Sequence, residues 1–421
     1  MSEQQSVKPH LVIVGAGFAG LYVLRYLRVG GGLKYYRVTL LDPNNYFIFS
    51  PLLHEVATGS LSPANVAEPL RRLAVCQGVS LRLAKVVGVN LSGQQVNLAG
   101  GENLAYDYLV VAPGATTNWY NTPGVAEQAW GLKSLPEAIA IKNHLIDCLE
   151  LAAELWSRDK VAAQTYLRWV VVGGGPTGVE MAAELAELKN SSLRHLYPQE
   201  LVDNVTIILL EKGNELIKRF SPRLRGKALK VLQQKGVQVQ FGLGVVALQR
   251  DQLSLSDGST ILSAAVIWVA GVKPVELAWL GQINKLPSGQ IAVDNYLRLP
   301  SYSNVFILGD AAAVTLPGQQ HPLPGLAQVA TQQAKVTAEN LISLSQHEII
   351  QPFTYHQLGT MFSLGQWRAA AEVGPFLFGG TVAWWLWRTV YLSKLLSWRK
   401  KLRVMIDWTI NIFLPRDLSR Y

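Results

Sequence analysis

Two stretches of the chain share one pattern: an unbroken apolar run, a glycine turn, then apolar and polar positions alternating with helical period. They read LVIVGAGFAGLYVLRYL at residues 11–27 and WVVVGGGPTGVEMAAEL at residues 169–185. Short continuous apolar runs bounded by turn residues predict strands buried on both faces, as in a parallel sheet. The second helix is expected from about Gly178 to Leu188. Each unit is followed by another apolar run that ends on an acid: YRVTLLD closes on Asp42 and VTIILLE on Glu211. The interval from Gly173 to Glu211 exceeds the usual ~20 residues. The polar stretch KNSSLRHLYPQELVDN accounts for the excess as a lengthened helix and loop.

The duplication runs further. YDYLVVAPGA (106–115) parallels AAVIWVAGVK (264–273), each a buried strand closing on a turn of small residues. Each follows a hairpin-like segment, LSGQQVNLAGGENLAYD in one half and LQRDQLSLSDGSTILS in the other. A last apolar run, NVFILGDAAA (304–313), resumes the first strand set. The predicted fold class is therefore α/β: two Rossmann-like dinucleotide-binding domains, the second inserted in the first, plus a C-terminal amphipathic helical segment.

The glycines carry the first chemistry. Gly15, Gly17 and Gly20, and again Gly173, Gly175 and Gly178, stand at GxGxxG spacing. The first permits a tight turn, the second lets a pyrophosphate approach the backbone, and the third lets helix pack on strand. The phosphates then rest on the positive end of the helix. Asp42 can accept both hydroxyls of an adenosine ribose. Asp310, after a buried strand and a glycine, can reach a flavin's ribityl and phosphate groups.

Composition narrows the picture. A chain of 421 residues has room for two or three full cores. Its two cysteines, Cys76 and Cys148, form neither a metal knuckle nor a redox CxxC pair. The seven histidines show no ligand spacing, His54 included, so no metal is expected. The start, MSEQQSVKPH, is polar and shows no secretory pattern, so folding in a reducing compartment is expected. Net charge is +9, but from Phe376 onward eight Lys/Arg face only Asp407 and Asp417, so most of the excess sits in the tail. That tail mixes Trp384, Trp385, Trp387, Tyr391, Trp398 and Trp408 with Arg388, Lys394 and the Arg399–Arg403 cluster. Aromatic and apolar positions flanked by cations point to a helix lying in a membrane surface, not to nucleic acid. Its longest uncharged run, Val373–Trp387, has 15 residues. Spanning a bilayer takes ~20. Packing on the protein's own core or on a dimer partner is the other reading of this segment.

With these motifs the chain resembles the flavoproteins that have two dinucleotide-binding domains and, within them, the type II NADH:quinone oxidoreductases (alternative NADH dehydrogenases). The resemblance rests on GAGFAG, NNYFIFSPLLHEVATGSLSP (44–63), GGGPTGVE, WVAGVKP, ILGDAAA and AQVATQQA (327–334), the last matching the quinone-site pattern AQxAxQ. It implies FAD in the first domain and NADH, as substrate, in the second.

By resemblance FAD is held by Gly15, Ala16, Gly17, Phe18, Ala19, Gly20, Asp42, Val86, Ala112, Gly114, Gly309, Asp310, Ala327 and Gln328. NADH is held by Gly173, Gly174, Gly175, Pro176, Thr177, Gly178, Glu180, Glu211, Ala270 and Gly271. Glu180 resembles the glutamate near the nicotinamide–flavin contact, able to tune hydride transfer or pass protons. Gln328, with Thr331 and Gln332, resembles the group that meets the quinone head. An acid is commoner in the family where this chain has Gln333, a bulkier residue where it has Thr331, and a glutamate where it has Asp42.

The implied organisation is residues 1–125 and 286–372 for the FAD domain, the latter with the quinone motif. Residues 126–164 form a connecting helical segment, 165–285 the NADH domain and 373–421 a membrane-association segment. Expected partners are a membrane quinone, the bilayer surface and a second copy of the chain, with no nucleic acid. The implied enzyme is a peripheral membrane protein on the cytoplasmic face that pumps no protons. The other function carried forward is a membrane-bound NAD(P)H-responsive flavoprotein sensor with little turnover. A disulfide or sulfide oxidoreductase of the same fold would need a cysteine pair at the flavin, which Cys76 and Cys148 do not supply.

Overall fold

Apolar runs that are hidden on both faces pair with like runs, and here they build two parallel sheets. The computed structural model describes residues 8–74 and 79–420; the start of the chain and Cys76 lie outside the described residues. Two compact units emerge. One comprises Met1–Phe47, Glu68–Thr116 and Lys273–Gln357, the other Ile48–Ala67, Thr117–Val272 and Leu358–Tyr421.

In the first unit the strand His10–Val14 lies between Arg37–Asp42 and Tyr108–Val111, parallel to both. Val79–Leu83 extends the sheet beyond Arg37–Asp42. Tyr302–Ile307 returns to pair with Tyr108–Val111, Val305 opposite Leu109. That pairing is the late resumption expected of NVFILGDAAA. All five residues of His10–Val14 are buried, as a central parallel strand requires. The helices Gly20–Val29 and Ala327–Ser345 pack against each other in this unit. The buried Tyr36 hydroxyl donates to the Leu341 carbonyl at 2.6 Å. The first hairpin-like segment forms antiparallel strands, Gln95–Leu98 against Val86–Asn90 and Asn103–Ala105.

The second unit repeats the plan. Arg168–Val172 lies between Thr206–Glu211 and Ala265–Trp268, again parallel. Val237–Phe241 and Trp130–Gly131 complete the five-stranded sheet. The glycine-turn helix runs Pro176–Leu188, two residues earlier than expected, because a proline at the first helical position has its φ preset. The surplus between Gly173 and Glu211 is helical: a π-helical turn, Lys189–Leu193, then short helices Arg194–Leu196 and Gln199–Asp203. The second hairpin-like segment forms three antiparallel strands between residues 245 and 262.

The tail is helical as expected, in two helices preceded by a small sheet. Strands Thr360–Ser363, Ala369–Val373 and Phe376–Gly380 form an antiparallel sheet. Two helices follow, Thr381–Lys394 and Trp398–Phe413. The uncharged run is broken because Gly374 (φ +56°) and Pro375 turn the chain, and Gly380 (φ +74°) turns it again. Both helices pack on the second unit: Trp384, Trp387, Val404 and Trp408 are at most 3 % exposed. The other face stays open. Leu402, Met405, Ile406, Ile410 and Phe413 form one helical stripe, each at least 44 % exposed, with Trp385 and Trp398 also exposed. Among the described residues, no helix is long and apolar enough to cross a membrane.

Candidate functional site

The three glycines of each turn do three different jobs, and the two turns agree glycine for glycine. Gly15 has φ +90°, and a Cβ there would lie 2.1 Å from the Ala112 carbonyl oxygen. A Cβ on Gly20 would lie 1.9 Å from the Gly15 oxygen. Around Gly17 no protein atom would come within 4 Å. In the second unit Gly173 has φ +114° and no room beside Ala270, Gly178 has none beside the Gly173 oxygen, and Gly175 is open to 4 Å. The first and third glycines are thus required by the fold, whereas the middle one leaves empty space at a helix N-terminus. A dinucleotide's pyrophosphate fits that space and its polarity. The residues present fit FAD in the first unit and a nicotinamide dinucleotide in the second.

The acids repeat the symmetry. Asp42 Oδ2 accepts the Ala16 N–H at 2.7 Å and Oδ1 the Asn44 N–H at 2.8 Å. Glu211 Oε2 accepts the Gly174 N–H at 2.7 Å and Oε1 the Gly213 N–H at 2.6 Å. Each carboxylate is pinned at the lip of its turn. Burial raises the Asp42 pKa, opposed by the N–H groups of Ala16 and Asn44.

The other expected contacts distribute as follows. Phe18 stacks edge-on against Phe47 at 5.1 Å, and Ala19 is buried beneath the turn. Val86 is buried at the start of its strand. Gly114 has φ +75° and open space around it. Pro176 and Thr177 form the first turn of their helix. The Gly271 carbonyl accepts the Asn118 N–H at 3.0 Å, and the Tyr120 phenol leaves no room for a Cβ on Gly271.

Ala327 and Gln328 open the helix Ala327–Ser345, both partly exposed, and the Thr331 hydroxyl donates to the Gln328 carbonyl at 3.2 Å. Gln332 spends its amide on the main chain of His356, donating at 2.9 Å and accepting at 3.0 Å. Gln333, at 1 % exposure, accepts the Gly309 N–H at 2.7 Å and so ties the Gly309–Asp310 turn to this helix. In sequence Gln333 stood out only as a departure from the family; its place in the run ATQQA (330–334) was the available signal.

Glu180 belongs to a buried cluster in the second unit that sequence reasoning did not assemble. Its Oε1 accepts the Ser363 N–H at 3.1 Å, and its Oε2 lies 3.9 Å from His54 Nδ1. One helical turn on, Glu184 binds the Arg416 guanidinium at 2.8 Å. Glu55 Oε2 accepts the Trp408 indole N–H at 2.6 Å. All five ionisable groups are at most 8 % exposed. Burial pushes the carboxyls of Glu180 and Glu55 up to about 8 and the His54 imidazole down to about 4. Burial also works against the charge of Glu184, but Arg416 and its other neighbours hold its carboxyl below the usual range. His54 is therefore neutral here and sits against Glu180. The missed signals were Glu55 and Glu184, charges set inside the apolar runs PLLHEVA and VEMAAEL. Cys148 is buried, and burial pushes its thiol up to about 12, outside any reactive range. Among the described residues, no group of three His, Cys, Asp or Glu could hold a metal ion.

This geometry has counterparts. The family model described as Pyridine nucleotide-disulphide oxidoreductase matches residues 9–334, and that of the NDH2 C-terminal domain matches residues 356–417. The chain is 31 % identical to the type II NADH:quinone oxidoreductase Ndh of Mycobacterium tuberculosis, over 96 % of this chain and 88 % of that one. It is 30 % identical to the internal alternative NAD(P)H-ubiquinone oxidoreductase A1 of Arabidopsis thaliana, over 99 % of this chain and 86 % of that one. The structure of NDH2 from Plasmodium falciparum in complex with NADH superposes with a TM-score of 0.89 at 22 % identity, covering 98 % of this chain and 100 % of that one. The chain belongs to the pyridine nucleotide-disulphide oxidoreductases and, among them, to the type II NADH:quinone oxidoreductases.

Proposed function

We propose that this protein oxidises NADH and reduces a membrane quinone, with FAD as resident carrier. The observation that carries the reading is the pair of glycine turns, each with open space at its middle glycine and an acid pinned at its lip. Bound FAD supplies the redox chemistry, taking a hydride from NADH and passing two electrons to quinone. The chain supplies binding, orientation and exclusion of water.

In the first unit Gly17 makes room for the pyrophosphate, Asp42 holds the ribose, and Gly309 and Asp310 present polar groups to the rest of the flavin. In the second, Gly175 makes room for NADH and Glu211 accepts its ribose hydroxyls. The 2′-phosphate of NADPH would meet the Glu211 carboxylate at close range, softened by the neighbouring Lys212, so NADH is preferred. Gln328 and Thr331 meet the quinone, and Gln332, committed to His356, shapes the loop beside them.

The test is a stopped-flow comparison of the two half-reactions. Gln328→Ala is expected to leave flavin reduction by NADH nearly unchanged and to slow reoxidation by a ubiquinone analogue roughly tenfold, the loss of about 1.4 kcal/mol. NADPH should reduce the same flavin more slowly than NADH. Equal slowing of both half-reactions by Gln328→Ala would make that residue structural. Rapid reduction followed by negligible reoxidation in the unaltered protein would instead favour the NAD(P)H-responsive sensor.

The open stripe of the second tail helix, with Arg399 and Arg403 beside it, is proposed to dock on an anionic bilayer surface, on the cytoplasmic face. Deleting the tail would not test this, because Trp387, Trp408 and Arg416 are part of the second unit's interior. Converting Leu402, Ile406 and Phe413 to Gln leaves the interior intact. Each exposed side chain is worth about 2 kcal/mol on burial. The triple variant is expected to stay folded and to stop sedimenting with anionic vesicles. Continued sedimentation would refute docking through this stripe, and loss of a dimer in light scattering would identify a second copy as its occupant.

A further inference from the structure

Reducing a quinone with NADH consumes a proton from solvent, because the hydride brings only one of the two hydrogens of the quinol. The inference rests on the NADH:quinone reading and on Glu180 as the group that passes the proton. We propose that Glu55 is the proton-storing residue that loads Glu180, held in place by the tail through Trp408.

The geometry begins with a polar cavity inside the second unit, roomy enough for water, whose walls include Glu55, Glu184, Ser363, Arg388, Asn411 and Arg416. Ser363 links it to Glu180: Ser363 lines the cavity, and its N–H donates to Glu180 Oε1 at 3.1 Å, Glu180 itself lying outside the lining. Two buried polar atoms have no hydrogen-bond partner among the described residues: Arg388 Nε on the wall and, on the residue before Glu55, His54 Nε2. His54 is 2 % exposed. Buried polar atoms left without partners mark a place where water completes the network.

Charge counting then requires a stored proton. Three carboxylates, Glu55, Glu180 and Glu184, share this interior. Arg416 is committed to Glu184, and His54 is neutral, which leaves Arg388. Its guanidinium lies over the Trp384 ring at 3.6 Å and the Trp408 ring at 4.9 Å. With Arg388 the remaining cation for two buried carboxyls, burial favours a proton held between Glu55 and Glu180.

The charged and titratable groups around Glu55 are Glu180 and Glu184 from the glycine-turn helix, Arg388 and Tyr391 from the first tail helix, and Arg416 from beyond the second; His54 precedes it on its own helix. Lys142, on the helix Leu135–Leu155 that packs against Leu53–Ala57, faces Asp417 instead. Burial first and the charge of Glu184 second push the Glu55 carboxyl up to about 8, while Trp408, Arg388 and Arg416 pull it down. Burial therefore favours its protonated form, and these three neighbours favour the release of the proton.

In the proposed transfer the O–H bond of Glu55 breaks, the proton crosses cavity water to the side walled by Ser363, and an O–H bond forms on the Glu180 carboxylate that Ser363 holds. The Trp408 indole N–H and Arg388 stabilise the Glu55 carboxylate left behind. Solvent reloads it through the half-buried Asn411 and Gln366 side of the cavity.

The experiment uses the FAD-loaded full-length protein. Infrared spectra titrated with pH should show a protonated-carboxyl stretch that disappears around pH 8 and loses one component in Glu55→Gln, which keeps an oxygen to accept from Trp408. In stopped flow, Glu55→Gln should leave reduction by NADH unchanged and slow reoxidation by quinone by about tenfold, flattening its alkaline inflection. Trp408→Phe removes a donor that favours the carboxylate, so the inflection and the infrared titration should both move to higher pH. A purely structural role for Glu55 predicts no such movement. The proposal is overturned if Glu55→Gln keeps the full infrared band, or if it reoxidises with the unaltered rate and pH profile. Should the unaltered protein fail to reduce quinone while the Glu55 band titrates as stated, the NADH:quinone reading fails and the stored proton stands.

Discussion

Gly17→Ala is expected to give a folded protein that has lost its flavin, and Gly15→Ala a protein whose first unit does not fold stably. The two positions are two residues apart, and their neighbours predict opposite failures. An Ala at Gly15 would hold φ at +90°, which costs an L-residue roughly 1–2 kcal/mol, and would drive its Cβ to 2.1 Å from the Ala112 carbonyl oxygen. Backbone cannot yield as a side chain does, so the total should exceed about 4 kcal/mol, the range of exceptional single substitutions. At Gly17 nothing lies within 4 Å, so the added methyl costs the fold almost nothing. It occupies the space assigned to the pyrophosphate, and flavin affinity should fall by tenfold or more, about 1.4 kcal/mol at least. Thermal melts by circular dichroism and the flavin absorbance of the purified variants separate the cases. A Gly17→Ala protein with a full complement of flavin would remove the site from this turn.

Arg416→Ala is expected to destabilise the second unit by about 3–5 kcal/mol, the cost of leaving a buried partner charge uncompensated. The pair it breaks is 7 % and 6 % exposed, and Arg416 also donates to the Thr58 carbonyl at 3.4 Å. The pH dependence has a definite sign. Arg416 holds the Glu184 carboxyl below 4.5 in the folded protein. A depressed carboxyl contributes stability that is complete above its unfolded value and is lost as pH falls through the folded one. The gap between the native protein and the variant should accordingly narrow in acid. Replacing both partners with apolar residues, Arg416→Met with Glu184→Leu, should recover most of the loss. Urea unfolding midpoints measure all three proteins. A change below about 0.5 kcal/mol for Arg416→Ala is what an exposed, unimportant contact would give.

What was legible in the sequence was local. Strand, turn and helix of each glycine unit are contiguous, and their glycines and acids sit at fixed offsets, so both sheets and the late return of residues 302–307 could be read directly. The acidic cluster could not. Glu55, Glu184 and Arg416 lie more than a hundred residues apart, and only the fold brings them together. Each announced itself weakly, as a charge in an apolar run or near the chain's end. His54 shows no ligand spacing along the chain, and only the fold sets its Nδ1 3.9 Å from Glu180 Oε2.

The tail shows a different limit. Aromatic and apolar positions mixed with cations say that a segment has two faces, but not what covers each. Here one face packs Trp384, Trp387 and Trp408 against the protein and the other remains open. The glycines and proline at 374, 375, 379 and 380 did signal that the run was not one helix.

The central claim is that electrons pass from NADH through bound flavin to quinone. It is tested most directly by mixing the purified protein with one equivalent of NADH without oxygen, then with a quinone analogue, while the flavin absorbance is followed. Rapid bleaching by NADH and rapid, complete recovery on adding quinone are expected. Bleaching that persists in the presence of quinone, or no flavin to bleach, would contradict it.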